Sequence, residues 1–232
     1  MFFLFPQRRH AFTLVELLVV LGIIAILAAI LMPIYNAAQA RGKAAQCASN
    51  LRKIGVGLHL YLSDNDGRFP DGLADVSWYG GISTSRCWYD AAAEYMGREY
   101  VIYHKGDPLP AEFGCPAGHG KAYEPAWPYT GDYGYNSRLG RVTDGVMKLA
   151  AVKNPAATPF VQDIVKQNGF GEWIFNAGYD KKSGSAFAAR HNGSGNILWV
   201  DGHVSSFKYA DYMDYANNPS HRGAYNFVRG DW

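Results

Sequence analysis

The sequence predicts an α+β chain in which one long N-terminal helix packs under an antiparallel β-sheet head domain. Three observations predict it. An apolar run extends from Phe12 to Ile34, an amphipathic stripe carries the same helix on to about Ser63, and β-prone runs near the C-terminus are separated by Asn-Gly and Asp-Gly turns. With 232 residues the chain has room for one globular domain and an additional segment. Charged residues make up only 18% against 48% hydrophobic, which excludes a disordered chain. A net charge of +2, with no basic run longer than two residues, gives no reason to expect a nucleic-acid partner.

The N-terminal segment carries the strongest signal. Arg8, Arg9, His10 and Ala11 precede the 23 residues from Phe12 to Ile34. As a helix such a run is about 34 Å long, enough to cross the hydrocarbon core of a bilayer. Glu16 interrupts it, and a carboxylate at membrane depth costs roughly 2.5–3.5 kcal/mol. Three readings compete. A secretory signal peptide has an A-x-A site at Ala38-Gln39-Ala40, but its apolar region is usually only about 7–15 residues long. A plain signal anchor leaves Glu16 unexplained. In the third reading, cleavage after Ala11 frees the amine of Phe12, and Glu16 neutralises the amine of a neighbouring chain when helices stack. An unpaired charge is costly there, so wrong registers are penalised.

The run Ala11-Phe12-Thr13-Leu14-Val15-Glu16 resembles the processing motif of type IV prepilins and type II secretion pseudopilins. The resemblance implies that a prepilin peptidase cuts between Ala11 and Phe12 and that the new amine of Phe12 is methylated. Glu16 then falls at the family's conserved fifth mature residue, and Pro33 at its common twenty-second. Ala11 departs from the family, which nearly always has Gly before the cut. The implied organisation is a leader at residues 1–11, a transmembrane part at 12–34, an amphipathic part at 35–64 and a globular α+β head at 65–232. Arg8 and Arg9 favour a cytoplasmic N-terminus, but Arg41, Lys43, Arg52 and Lys53 follow the span, so charge counting alone does not orient it. The resemblance does. It implies a single-pass protein of the inner membrane with a periplasmic head, later assembled into a filament. Its implied partners are the prepilin peptidase, the inner membrane and other pilin-like subunits.

Beyond the span, Leu51, Ile54, Leu58 and Tyr61 recur at helical spacing and form one apolar stripe. Gly55 and Gly57 weaken the helix or permit close packing. Pro33 need not end it, because proline is tolerated in membrane helices. From Phe12 to Ser63 the helix would run roughly 78 Å if unbroken. Asp64-Asn65-Asp66-Gly67, followed by Pro70, reads as the turn that stops it. A calcium loop using Asp64, Asp66 and Asp71 is the alternative, although the EF-hand spacing fails. A short helix is expected over Trp88–Tyr95 with Gly97 as its cap, and an extended aromatic loop over Pro108 to Pro128. Strands are expected at Pro159–Val165, Glu172–Phe175, Ala186–His191, Asn196–Val200 and His203–Phe207, the last three as a meander turning at 192–195 and at Asp201-Gly202.

His191, nine residues and then Asp201-Gly202 resemble the H-X9-DG motif of a large group of prepilin-like proteins. The likeness extends to 47–55, to 61–70, to Cys115-Pro116 and to Tyr133-Gly134-Tyr135-Asn136. The motif's role in that group is not defined. Read from the residues, Asp201 hydrogen-bonds its own turn and Gly202 supplies a positive φ. A metal or acid/base site built on His191, Asp201 and His203, or a contact with a partner, are the competing readings.

Three cysteines are too few for a disulfide scaffold. For an extracytoplasmic head the expected pair is Cys87–Cys115, because Cys47 lies on the long helix. Cys115-x-x-x-His119 has no second ligand pair beside it, so no metal or other cofactor is expected. No G-x-S-x-G, Walker A or H-E-x-x-H pattern is present, and an enzyme is not expected. The leading reading is a structural filament subunit. The other is a membrane-anchored binding protein whose Trp78, Trp88, Trp127 and Trp173 face a polysaccharide or protein cargo.

Overall fold

The computed structural model describes residues 13–70, 88–98, 111–118, 132–136, 139–141, 145–166, 174–175 and 185–212. The chain divides into two compact units, Met1–Arg41 and Gly42–Trp232. Helix α1 spans Leu14–Asp64 and contains Pro33. In the first unit every described side chain is exposed. Leu, Ile and Val cover the helix there on all sides, as suits a lipid environment rather than a protein core. Among the described residues, α1 is the helix long and apolar enough to cross a membrane.

In the second unit α1 becomes one-sided. Cys47, Leu51, Ile54, Leu58 and Leu62 are buried, while Val56 and Leu60 face outwards. The stripe therefore ends on Leu62. Tyr61, expected on it, lies at its margin and meets Tyr95 edge-on at 6.0 Å. The helix stops where the turn residues sit. Asp66 and Gly67 both take positive φ (55° and 70°), and the Gly67 amide donates to Leu62 O at 2.8 Å. Asn65 Nδ2 closes the last turn on Tyr61 O, also at 2.8 Å. The segment thus terminates a helix by a left-handed cap. Asp71, needed for the calcium reading, lies outside the described residues.

Helix α2 (Trp88–Tyr95) forms where expected and ends on Gly97, with φ of 74°. Ala92 O packs directly over Gly57, where a β carbon would stand only 2.5 Å away. A single 3-10 turn at Ala111–Phe113 lies within the stretch expected to be extended.

Among the described residues the head holds eight strands: β1 (Tyr133–Asn136), β2 (Gly140–Arg141), β3 (Gly145–Val146), β4 (Pro159–Lys166), β5 (Ile174–Phe175), β6 (Ser185–Phe187), β7 (Ser194–Trp199) and β8 (Val204–Lys208). The main sheet runs β5-β1-β4-β7-β8, with β6 paired to the far end of β4 and β2-β3 as a separate ribbon. Its pairs are antiparallel except β1 with β5, which is parallel. The β7–β8 hairpin turns on Asp201-Gly202 as expected. The expected meander does not form. β6 pairs with β4 rather than β7, because β7 crosses to lie beside β4 through Gln162 and Ile197. Tyr133, Tyr135, Phe160 and Leu198 point from the sheet into the same core as Leu51, Ile54 and Leu58 of α1. Trp88 stacks on Tyr135 at 5.7 Å and meets Phe113 at 5.9 Å.

Candidate functional site: the N-terminal segment and the His191–Gly202 stretch

At the start of α1, Thr13 and Glu16 form a reciprocal cap. Glu16 Oε2 accepts from the Thr13 amide at 2.9 Å and from its hydroxyl at 2.7 Å, and the Glu16 amide donates back to Thr13 Oγ1 at 3.3 Å. This is a capping box, which satisfies donors that a helix start leaves open. It also turns the carboxylate towards the backbone next to Phe12. The T-x-x-E spacing was visible in the sequence, and the box could have been read there. Ala11 and Phe12 lie outside the described residues.

In the head, the sequence brings two separate groups of residues against α1. The first gathers around Cys115. Its sulfur is bonded to Cys47, not to Cys87. Although Cys47 lies on the long helix, it sits one turn before Leu51 on the stripe that faces the head and is fully buried, which corrects the expected Cys87–Cys115 pair. Cys87 lies outside the described residues. Neighbouring bonds fix the loop to the helix: Asn50 Nδ2 donates to Gly114 O at 3.0 Å, and Tyr133 Oη to Cys47 O at 3.4 Å. Burial, reinforced by the Asp163 carboxylate, pushes the Tyr133 phenol well above its ordinary pKa, so this hydroxyl stays a donor.

His191 belongs to the same group. Its Nε2 is 3.5 Å from Cys115 Sγ and 3.3 Å from Asp163 Oδ2. Asp163 is completely buried on β4 and also receives the Asn196 amide at 2.7 Å. Arg190 supplies the compensating charge. Its Nη1 lies 3.1 Å from Asp132 Oδ1 and 4.0 Å from Asp163 Oδ1, and its guanidinium also donates to the Asp132 and Ile164 carbonyls. Asp132 in turn accepts the Cys115 amide at 2.8 Å. Asp132, Asp163 and Arg190 were not singled out from the sequence. No local spacing joins them: Asp132 and Asp163 meet through the pairing of β1 with β4, and Arg190 follows β6, which also pairs with β4.

The second group is the turn after β7. Asp201 Oδ1 accepts from the His203 amide at 3.1 Å and from its imidazole at 2.6 Å. Burial raises the Asp201 pKa, but the bonds from His203 outweigh it and hold the carboxyl below its usual range. Gly202 takes φ of 94°, and its amide returns to Trp199 O at 2.9 Å. The His203 ring stacks on Trp199 at 5.5 Å. Asp201 and His203 thus serve their own turn, whereas His191 is buried at the start of β7 and bridges to Ser194. The three do not form one joint site.

These geometries can be set beside known proteins. A family model described as the prokaryotic N-terminal methylation motif matches residues 6–32. The N-terminal segment of the chain is type IV prepilin-like. The chain is 39% identical over 74 residues to the type IV major pilin protein PilA of Myxococcus xanthus (strain DK1622), covering 32% of this chain and 33% of that pilin. The chain therefore spans about a third of the length of the curated relative it matches. No solved structure matches. The family-model match ends before Pro33 and so bears on Phe12 and Glu16, not on the head.

Proposed function

We propose that the chain is a pilin-like structural subunit, processed by prepilin peptidase and assembled into a type II secretion pseudopilus or a type IV pilus-like filament. One observation carries the reading. Within the residues matched by the methylation-motif model, Glu16 is the acid in an otherwise apolar, outward-facing helix, and it caps the backbone beside Phe12. Cleavage between Ala11 and Phe12 would free an amine next to that carboxylate, and methylation would keep the amine charged. In a filament Glu16 would neutralise the amine of a neighbouring Phe12. Residues 12–34 would cross the inner membrane with Pro33 inside the span, 35–64 would continue the helix, and 65–232 would be the periplasmic head. Prepilin peptidase and other pilin-like subunits are the partners this requires.

The alternative, an anchored protein that binds cargo through aromatic side chains, loses one of its candidates. Trp88 is fully buried between Tyr135 and Phe113 and has no face left for a ligand. Trp78, Trp127 and Trp173 lie outside the described residues. The test is the intact mass and N-terminal sequence of protein recovered from membranes. The expected N-terminus is Phe12 with one added methyl group. An N-terminus at Arg41 would establish a cleaved signal peptide and overturn the anchor.

A further inference from the structure

The group around Cys115 holds more ligand chemistry than a structural disulfide requires. The sulfurs of Cys47 and Cys115 and a ring nitrogen of His191 lie within 4.8 Å of one another, and all three residues are buried. Asp163 Oδ2 is 3.3 Å from His191 Nε2 and completely enclosed. These atoms come from four places: α1, the 111–118 loop, β4 and the start of β7. The fold therefore brings two sulfurs and one imidazole to a single interior point, with the Asp163 carboxylate beside the imidazole.

We propose that, when Cys47 and Cys115 are reduced, this point is a binding site for a borderline-soft divalent cation such as Zn2+. The ligands would be the two thiolates and His191 Nε2, and Asp163, 3.3 Å from that nitrogen, would supply negative charge beside the cation. Sulfur and imidazole suit zinc, and a tetrahedral site with Zn–S of about 2.3 Å and Zn–N of about 2.0 Å needs ligand atoms roughly 3–4 Å apart. The spread seen here asks for small side-chain shifts. The disulfide and the metal are mutually exclusive. A two-electron reductant such as a phosphine breaks the S–S bond. Each sulfur takes up a proton, and the phosphine leaves as its oxide with an oxygen from water. Binding M2+ then releases the two thiol protons to solvent, and the metal changes no oxidation state. A chain is made in a reducing compartment before its disulfides form. The metal-bound form belongs to that stage, where it would hold the 111–118 loop against α1 until oxidation replaces it.

The experiment uses the full chain in detergent with Cys87→Ser, so that the third thiol cannot contribute. It is reduced with a phosphine under argon, freed of reductant and titrated with Co2+ and then Zn2+. The expected result is one Co2+ per chain with thiolate-to-cobalt charge-transfer and tetrahedral d–d bands, displaced by Zn2+. The oxidised chain takes up none, C47S abolishes the charge-transfer band, and H191A weakens binding at least ~10-fold. Near-UV circular dichroism of the Trp88 cluster follows the fold in parallel. A reduced chain that binds no Co2+ overturns the proposal whether or not it stays folded, and uptake that restores a lost fold supports it. Equal affinity in H191A would overturn the His191 site, and so would binding by the oxidised chain.

Discussion

Gly202 closes directly on His59 of α1: a β carbon at position 202 would stand 3.2 Å from His59 Nε2. At the other end of the same stretch, His191 packs on Cys115, which is bonded to Cys47 of α1. Between them Leu198 of β7 fits over Gly55, where a β carbon would be 2.9 Å from Leu198 Cδ1. The His191–Gly202 stretch therefore meets the helix at three successive levels: Cys47 through Cys115, then Gly55, then His59. Gly202→Ala combines a left-handed φ with crowding against a ring, and should destabilise the head by about 1–3 kcal/mol. Asp201→Asn keeps the acceptor for His203 at an exposed position and should cost less than about 0.5 kcal/mol. Urea unfolding in detergent, followed by near-UV circular dichroism, measures both. A harmless Gly202→Ala would show that the turn tolerates a side chain and that the contact carries no weight.

His59 gives the head a pH dependence. Burial lowers its pKa below the ordinary value, and Asp201 only partly offsets that. Among the described residues its enclosed Nε2 has no hydrogen-bond partner. The unfolded chain therefore takes up a proton at higher pH than the folded one. The contribution is fully present above the ordinary histidine pKa of about 6.5 and is lost as pH falls through the lowered folded value. Melting temperature should fall as pH drops below about 6.5, and His59→Gln should flatten the part of that slope due to this ring. An unchanged slope in the variant would assign it elsewhere.

Arg190 sits between two carboxylates, one of them completely buried. Removing it leaves Asp163 inside the head without its cation, a loss of about 3–5 kcal/mol. Arg190→Met, which keeps the aliphatic volume, should therefore unfold at much lower urea than the parent. The double variant R190M/D163N should recover part of the loss, because the uncompensated charge has gone with the arginine. No recovery would mean that Arg190 acts through its carbonyl contacts instead.

Cys47–Cys115 closes a loop of sequence separation 68 between α1 and the 111–118 segment. For a loop of that length the chain-entropy contribution is about 4 kcal/mol. Cys47→Ser and Cys115→Ser should each lower stability by about 2–4 kcal/mol, and peptide mapping without reduction should recover the two cysteines in one linked fragment. A linked fragment holding Cys87 and Cys115 would contradict the Cys47–Cys115 pairing.

What the sequence revealed and what it concealed divide along physical lines. The apolar run, the stop at Asp66-Gly67, the cap at Gly97 and the β7–β8 hairpin at Gly202 are set by neighbours in the chain. Periodicity and turn chemistry therefore reported them. The pairing of β4 with β6 and β7, and with it the meeting of Asp163, Arg190 and His191, depends on strands far apart in the chain, for which no local pattern exists. Cys47 differs, because its signal is local: it sits four residues before Leu51 on the same face of α1. A small, readily buried residue at that spacing was itself evidence that the helix contacts the head.

The proposed function gives Glu16 a second role beside its cap, and two substitutions distinguish them. Its carboxylate caps Thr13, and its charge would neutralise a neighbouring Phe12 amine in a filament. Glu16→Gln retains the cap, because an amide serves in a capping box, but removes the charge. Glu16→Ala removes both. Membrane insertion should be as good or better in each, since a carboxylate in lipid is costly. Assembly should suffer in both, because the Phe12 amine then enters an apolar filament core without a counter-charge. If helix capping alone mattered, Glu16→Gln would assemble like the parent and only Glu16→Ala would fail. A plain signal anchor predicts that neither changes assembly. The measurement is the ladder of cross-linked species from membranes holding parent, Gln and Ala forms at matched levels, with the N-terminus of each verified at Phe12. Loss of the ladder in Glu16→Gln would assign subunit contact to the charge. Equal ladders from all three would remove the physical reason for placing Glu16 at a contact between subunits.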